Sequence, residues 1–132
     1  MEILFEVKNS TGVITLSRPK ALNALNLNMA IQLSKKLKEW EDDNAVERVI
    51  LLGEGNHFCA GGDVKSVHLS GPFSKLKREF FSKEYSLNLQ IKNFPKPYLS
   101  IWKGVVMGGG VGLSIYGDYR IATDSTKFAM PE

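Results

Sequence analysis

Along this 132-residue chain, segments whose apolar residues are typical of strands alternate with segments whose apolar residues have the spacing of a helix. Two runs rich in β-branched residues, ILFEV at 3–7 and GVITL at 12–16, are joined by a short polar turn and indicate a pair of strands. Ala30, Leu33 and Leu37 then recur every three or four residues, which is the spacing of an amphipathic helix. Alternating strands and helices bury their apolar faces against one another in layers, so the pattern predicts an α/β fold.

The rest of the chain continues this alternation without an internal repeat, and one domain over 1–132 is expected. Asn26 or Asn28 is expected to cap the first helix, because an asparagine side chain accepts from the unpaired N–H groups of a helix start. The further elements predicted are a strand within 47–55, a second amphipathic helix from about Phe73 to Asn93, one strand or a strand pair within 98–107, a short helix at 109–117 and two strands within 119–130.

Composition disfavours several classes of protein. The net charge is +3, but the lysines and arginines are scattered, so nucleic acid is not expected as a partner. Cys59 is the only cysteine, which excludes an internal disulfide, and no histidines or thiols have the spacing of a metal site. No apolar stretch approaches the roughly 18 residues that span a bilayer, so no membrane partner is expected. The expected location is the cytoplasm, or an organelle matrix if a targeting segment has been removed.

Two glycine clusters, FCAGGDV at 58–64 and VVMGGGVGL at 105–113, each contain an apolar run followed by adjacent glycines. Adjacent glycines let a ligand or another backbone approach the main chain closely. In the second cluster they stand where a strand gives way to a helix, so unpaired N–H groups can face an anion or a developing oxyanion. A tight turn without a ligand remains an alternative for either cluster. Neither has the spacing of a P-loop or a Rossmann motif, whereas two N–H groups that converge on one oxygen suit acyl chemistry.

Three segments cover nearly the whole chain in this order: SRPKALNALN, VILLGEGNHFCAGGDV and KPYLSIWKGVVMGGGVGLSIYGDYRIATDSTKFAMPE. In these segments and their order, the sequence resembles the crotonase, or enoyl-CoA hydratase/isomerase, superfamily. The resemblance implies a partial crotonase fold, of the ClpP/crotonase type, built from repeated ββα units. It also implies an acyl-CoA thioester as the substrate, with coenzyme A as part of that substrate and no separate cofactor.

The resemblance further implies roles for individual residues. The backbone N–H groups of Ala60 and Gly109 are expected to form an oxyanion hole for the thioester oxygen. The segment AGGD at 60–63 is expected to line the channel for coenzyme A. The resemblance also implies that four further residues bind the substrate: Gly61, Gly62, Asp63 and Gly108.

The carboxylates indicate a branch of the superfamily. Its two-glutamate hydratases carry one glutamate after the glycine triplet and another in a later Pro-Glu, because adding water to a double bond needs a base and an acid. Here the first position is Gly112, and only Glu132 remains. FFSKEYSLN, MGGGVGLS and FAMPE resemble the 3-hydroxyisobutyryl-CoA hydrolase branch, which serves valine catabolism. That resemblance implies thioester hydrolysis, with Glu132 as nucleophile or as general base.

Two other side chains have open interpretations. Glu84 lies near the edge of the apolar face of the second predicted helix, where it either pairs with a neighbouring lysine or contacts the substrate. The branch resemblance implies the second, with a hydrogen bond to the acyl hydroxyl. Cys59, with His57 two residues away, has no orienting third group in view, so a small buried thiol is expected rather than a nucleophile.

Two alternatives to hydrolysis stay open, a one-glutamate hydratase or isomerase of the same superfamily and a non-catalytic acyl-CoA-binding fragment. The chain resembles an N-terminal portion of the family, with the C-terminal part absent, and the assisting aspartate of the hydrolase branch would follow Glu132. We therefore expect the 132 residues alone to be inactive. Apolar surface left uncovered would favour a homo-oligomer.

Overall fold

The computed structural model describes residues 1–62 and 75–129, which form helices packed on sheets. The helices are α1 Leu27–Glu41, α2 Lys75–Lys92 and α3 Gly109–Ile115, with a single 3₁₀ turn at Pro19–Ala21. The strands are β1 Ile3–Lys8, β2 Thr11–Leu16, β3 Arg48–Gly53, β4 Tyr98–Trp102, β5 Val105–Met107, β6 Tyr119–Ala122 and β7 Lys127–Ala129.

The strands form a five-stranded sheet and a two-stranded one. The larger has the order β1-β2-β3-β4-β6, and β5 pairs with β7 in the smaller. Among the described strands only the β1–β2 pair is antiparallel. Its two-residue turn places Asn9 and Ser10 at φ of 50° and 63°, the left-handed geometry that favours a tight hairpin. The predicted α/β class and the hairpin of β1 and β2 are confirmed, whereas the two strands within 98–107, β4 and β5, lie in different sheets.

Helix α1 is capped at its N-terminus by Asn26, whose Oδ1 accepts the backbone N–H of Met29 at 2.8 Å. Asn26, not Asn28, is therefore the cap. The apolar face of α1 is buried as its spacing predicts, and Trp40 at its end meets Phe5 edge to face, with 6.1 Å between ring centroids. This face of α1 packs on β1, which anchors one side of the core.

Helix α2 buries Phe80, Leu87 and Ile91, three of the residues predicted for its apolar face. It packs against α1, where Gln90 Nε2 donates to the carbonyl of Ser34 at 2.9 Å. The same helix contacts α3, so residues on that side of α2 lie beside the glycines that begin α3.

Candidate functional site

The two glycine clusters meet in space. Cys59 donates its N–H to the carbonyl of Val105 and accepts the N–H of Met107, both at 3.1 Å. A Cβ atom placed on Gly61 would lie 3.1 Å from the Met107 oxygen and 3.4 Å from the Gly109 nitrogen. The contact leaves little room for a side chain there, so the two segments form one glycine junction, which we define as Gly61, Gly62, Gly108 and Gly109.

Gly61 turns the backbone of the first cluster. Its φ of 114° lies in the region that favours glycine, and its carbonyl accepts the N–H of Leu25 at 2.7 Å. No peptide bond among the described residues is cis, so the N–H of Gly62 points away from Leu25, opposite that carbonyl. The Gly62 nitrogen lies 3.1 Å from the Cβ position of Gly109. The N–H of Gly62 therefore faces the second cluster.

Gly108 orients the second cluster in a similar way. At a φ of 49°, its carbonyl accepts the N–H groups of Val111 at 3.0 Å and Gly112 at 3.3 Å. The N–H of Gly109, on the opposite edge of the same peptide, points away from α3. Within 1–62 and 75–129, no acceptor takes the N–H of Gly62 or Gly109. The glycine junction thus presents two unpaired donors.

Ala60 does not supply such a donor. Its N–H donates to the carbonyl of Leu22 at 3.0 Å, so the expectation of an unpaired N–H at Ala60 is not met. The physical reason is the turn at Gly61, which reverses the direction of the following peptide and leaves the next available N–H at Gly62.

Asn23 holds this part of the backbone in place. Its buried Oδ1 accepts the N–H of Arg18 at 2.7 Å, and its Nδ2 donates to the carbonyls of Glu54 at 3.0 Å and His57 at 2.8 Å. These bonds join the loop after β2 to the loop after β3, which leads into the glycine junction. The donors of the junction are therefore preorganised by hydrogen bonds outside it.

Glu84 extends from α2 over the glycine junction. A Cβ placed on Gly109 would lie only 2.6 Å from Glu84 Oε1. Burial of this half-buried side chain raises the pKa of its carboxyl, because desolvation penalises the charged form. No ion pair or hydrogen bond of Glu84 occurs in the described part of the chain, so the lysine pairing considered from the sequence is not found there. Glu84, Gly108 and Gly109 line one cavity of about 280 Å³.

Asn88 lines the same cavity, and the sequence analysis did not single it out. A Cβ placed on Gly112 would lie 2.7 Å from Asn88 Nδ2 and 3.0 Å from Oδ1. Oδ1 is buried, and none of the described residues donates a hydrogen bond to it. The signal that could have identified it is its spacing, because Asn88 follows Glu84 by four residues and so shares a helix face with it.

Cys59 is fully buried, and its burial raises the pKa of the thiol to about 12. A thiol with that pKa is neutral near pH 7 and is not a nucleophile. His57 Nδ1 accepts the N–H of Val105 at 3.0 Å, which joins the residue before the first glycine cluster to the first residue of the second. Cys59 and His57 therefore support the glycine junction instead of forming a catalytic pair.

Asp63 and Glu132 lie outside the described residues, so their roles stay predictions. In the part of the chain that the structure covers, no helix is long and apolar enough to cross a membrane. The same residues contain no group of three or more His, Cys, Asp and Glu side chains that could hold a metal ion.

Comparison with known proteins identifies the family. The family model described as enoyl-CoA hydratase/isomerase matches residues 11–132. Proteins named 3-hydroxyisobutyryl-CoA hydrolase, mitochondrial, are similar to this chain: the one from Danio rerio is 49% identical and the one from Homo sapiens 47%, each over 99% of this chain. The alignment covers 35% and 34% of those two proteins, so the chain spans about a third of their length.

A solved structure shows the same fold. The carnitinyl-CoA dehydratase of Mycobacterium thermoresistibile superposes with a TM-score of 0.95 at 44% identity, over 99% of this chain and 39% of the dehydratase. The expected crotonase fold is thereby confirmed, as part of a longer fold. With the family model over most of its length, the chain belongs to the enoyl-CoA hydratase/isomerase family, the crotonase superfamily.

Proposed function

We propose that the protein carrying this chain hydrolyses an acyl-CoA thioester, and that 3-hydroxyisobutyryl-CoA is the substrate. One observation carries the proposal: two unpaired backbone N–H groups and a half-buried carboxyl meet beside one cavity. The names of the two relatives support 3-hydroxyisobutyryl as the acyl group of the substrate. Because those names include "mitochondrial", we also propose an organelle matrix as the location. Valine breakdown is the setting that the resemblance to the hydrolase branch implies.

In this proposal the N–H groups of Gly62 and Gly109 hold the thioester oxygen. The carbonyl oxygen gains negative charge when a nucleophile adds to the carbon, and donors aimed at it stabilise the transition state more than the ground state. Gly62 replaces Ala60, whose N–H is already paired with Leu22. The donors need no reorientation during the reaction, because the carbonyls of Gly61 and Gly108 are held by hydrogen bonds.

Glu132 supplies the remaining chemistry in the proposal. As a general base it takes a proton from water, the water oxygen adds to the thioester carbon, and the C–S bond breaks to release coenzyme A. As a nucleophile it forms a mixed anhydride with release of coenzyme A, and water then cleaves the anhydride. Either route yields the free hydroxy acid. In the same proposal, Glu84 binds the hydroxyl of the acyl group.

The test uses the complete natural protein. Release of the coenzyme A thiol from 3-hydroxyisobutyryl-CoA is measured in parallel with loss of enoyl absorbance from methacrylyl-CoA. Thiol release without enoyl loss supports the hydrolase. Enoyl loss without thiol release would establish the hydratase alternative, and tight binding of either thioester without turnover would establish a binding protein.

A further inference from the structure

Helix α3 has two sides with different neighbours. Gly109 and Gly112 lie on the side that lines the cavity. Leu113 and Ser114 are buried and bond to side chains of β4. The carbonyl of Gly108 accepts N–H groups of α3, so the peptide that carries the Gly109 N–H moves with the helix. Whatever fixes the rotation of α3 therefore also fixes the direction of that donor.

A chain of two hydrogen bonds runs from β4 into the first turn of α3. Trp102 Nε1 donates to Ser114 Oγ at 2.8 Å. The Ser114 hydroxyl has one proton, and its nearer acceptor is the carbonyl of Gly110 at 2.8 Å, against 3.2 Å for that of Val111. Ser114 is fully buried, so bulk water does not compete for either bond. The chain ends at Gly110, the residue directly after the proposed donor Gly109.

Trp102 is itself held beside the glycine junction. Its indole ring contacts the ring of Phe128 on β7, with 5.2 Å between centroids and 30° between planes. Strand β7 pairs with β5, which leads into Gly108 and Gly109. The side chain of Trp102 thus links the small sheet that precedes the glycine junction to the helix that follows it.

Tyr98 makes a second bond between β4 and α3, because its Oη donates to the carbonyl of Leu113 at 3.0 Å. Its backbone N–H and carbonyl also bond to Asp118, which follows the helix. A change at Tyr98 would disturb that loop as well. In the part of the chain that the structure describes, the hydrogen bond of the Trp102 side chain reaches α3 only at Ser114, so Trp102 gives the cleaner test.

We propose that Trp102 is a positioning residue: its bond to Ser114 sets the rotation of α3 and thereby aims the N–H of Gly109 at the thioester oxygen. The proposal rests on the function stated above. Without the indole N–H, α3 loses this restraint, and the donor loses its aim while the rest of the cavity still binds the substrate. Because an aimed donor stabilises the transition state more than the ground state, the loss falls on kcat and not on KM.

The activity test uses Trp102→Phe in the full-length protein, which removes the N–H and keeps an aromatic ring beside Phe128. We expect kcat for 3-hydroxyisobutyryl-CoA to fall about tenfold or more with KM nearly unchanged, since a small misplacement of a catalytic group is costly. Trp40→Phe is the matched control, the same change at a buried tryptophan at the end of α1. It should lower the free energy of unfolding and leave kcat unchanged.

Ser114→Ala tests the middle of the chain. Its effect on kcat should resemble that of Trp102→Phe, and the two effects should not add in Trp102→Phe/Ser114→Ala, because both changes break one chain of hydrogen bonds. Additive effects would show that Trp102 acts by some other route and would contradict the proposal.

A second measurement reports on the donors without turnover. The probe is an analogue of 3-hydroxyisobutyryl-CoA in which a methylene replaces the thioester sulfur, so the carbonyl remains but no C–S bond can break. Hydrogen bonds to this carbonyl lower its stretching frequency, which infrared difference spectroscopy of the isotope-labelled analogue detects. The shift that binding to the parent produces should be smaller in Trp102→Phe and Ser114→Ala and fully retained in Trp40→Phe.

A folded Trp102→Phe protein with the parent's carbonyl frequency would overturn the proposal, whatever its kcat. If that variant does not fold, Ser114→Ala decides by the same two measurements, and failure of both to fold would make Trp102 a residue of stability only. A parent that shifts the carbonyl but releases no thiol would refute the thioesterase function alone. A parent that binds the analogue without a shift would refute the placement of the oxygen, and this proposal with it.

Discussion

Gly109→Ala tests the glycine junction with a single methyl group. That methyl would lie 2.6 Å from Glu84 Oε1 and 3.1 Å from the Gly62 nitrogen, against an ordinary contact of 3.4 Å or more. The carboxyl end of Glu84 is flexible and can retreat by the roughly 0.8 Å that restores this contact. The methyl would then stand between the displaced carboxyl and the N–H of Gly62, where the thioester oxygen is proposed to bind.

The expected result is a loss of activity with little loss of stability. An alanine at the start of a helix gains up to about 1 kcal/mol over glycine, which offsets the movement of Glu84. Blocking an oxyanion donor lowers kcat by about 10²-fold or more. Steady-state thiol release gives the activity, and urea denaturation of the full-length protein gives the free energy of unfolding.

Gly110→Ala is the matched control, the same change one residue further along α3. Its methyl would lie 2.6 Å from the carbonyl oxygen and 2.9 Å from the Cβ of Cys59, and these atoms cannot move away as a flexible side chain can. We expect this variant to lose about 1–3 kcal/mol of stability, the usual cost of overpacking. A folded Gly109→Ala protein with the parent's kcat would refute the placement of the thioester oxygen at the glycine junction.

Three further predictions concern single side chains. Glu132→Gln should bind 3-hydroxyisobutyryl-CoA as the parent does but not hydrolyse it, because an amide neither accepts the proton nor attacks well; full thiol release by this variant would exclude Glu132 from the chemistry. Burial raises the pKa of Glu84 above its ordinary value of 4.5, so the folded protein binds that proton more tightly than the unfolded chain does. The free energy of unfolding of the parent should therefore fall relative to Glu84→Gln as the pH rises above 4.5, and equal pH slopes in urea titrations would contradict the stated cause. Cys59, with a pKa near 12 and no exposure, should resist a thiol-specific reagent until the protein unfolds; labelling of its peptide in the native protein, detected by mass spectrometry, would show that the thiol is accessible.

Much of the fold was predictable because it depends on local spacing. The apolar period of α1 and its cap at Asn26 follow from side-chain chemistry within a few residues, and so does the hairpin formed by β1 and β2. The meeting of the two glycine clusters was also predictable, because adjacent glycines indicate close approach of a backbone or a ligand.

The identity of the donors was not predictable from spacing. Alternate residues of an extended segment point the same way, but the φ of 114° at Gly61 breaks that rule and reverses the next peptide. The family resemblance implied a donor at Ala60, and the sequence does not report the conformation of Gly61 that leaves the available N–H at Gly62. Asn88 was missed for another reason, since its burial depends on Gly112, which is distant in sequence and contacts it only after α2 packs on α3.

A crystal structure of the full-length protein with a non-hydrolysable analogue of 3-hydroxyisobutyryl-CoA would test the central claim most directly. The distances to measure are those from the oxygen that replaces the thioester carbonyl oxygen to the backbone nitrogens of Gly62, Gly109 and Ala60. We expect about 2.7–3.1 Å to Gly62 and Gly109, with Ala60 still bonded to Leu22. An oxygen bound away from Gly62 and Gly109, or bound by Ala60, would contradict the proposed site.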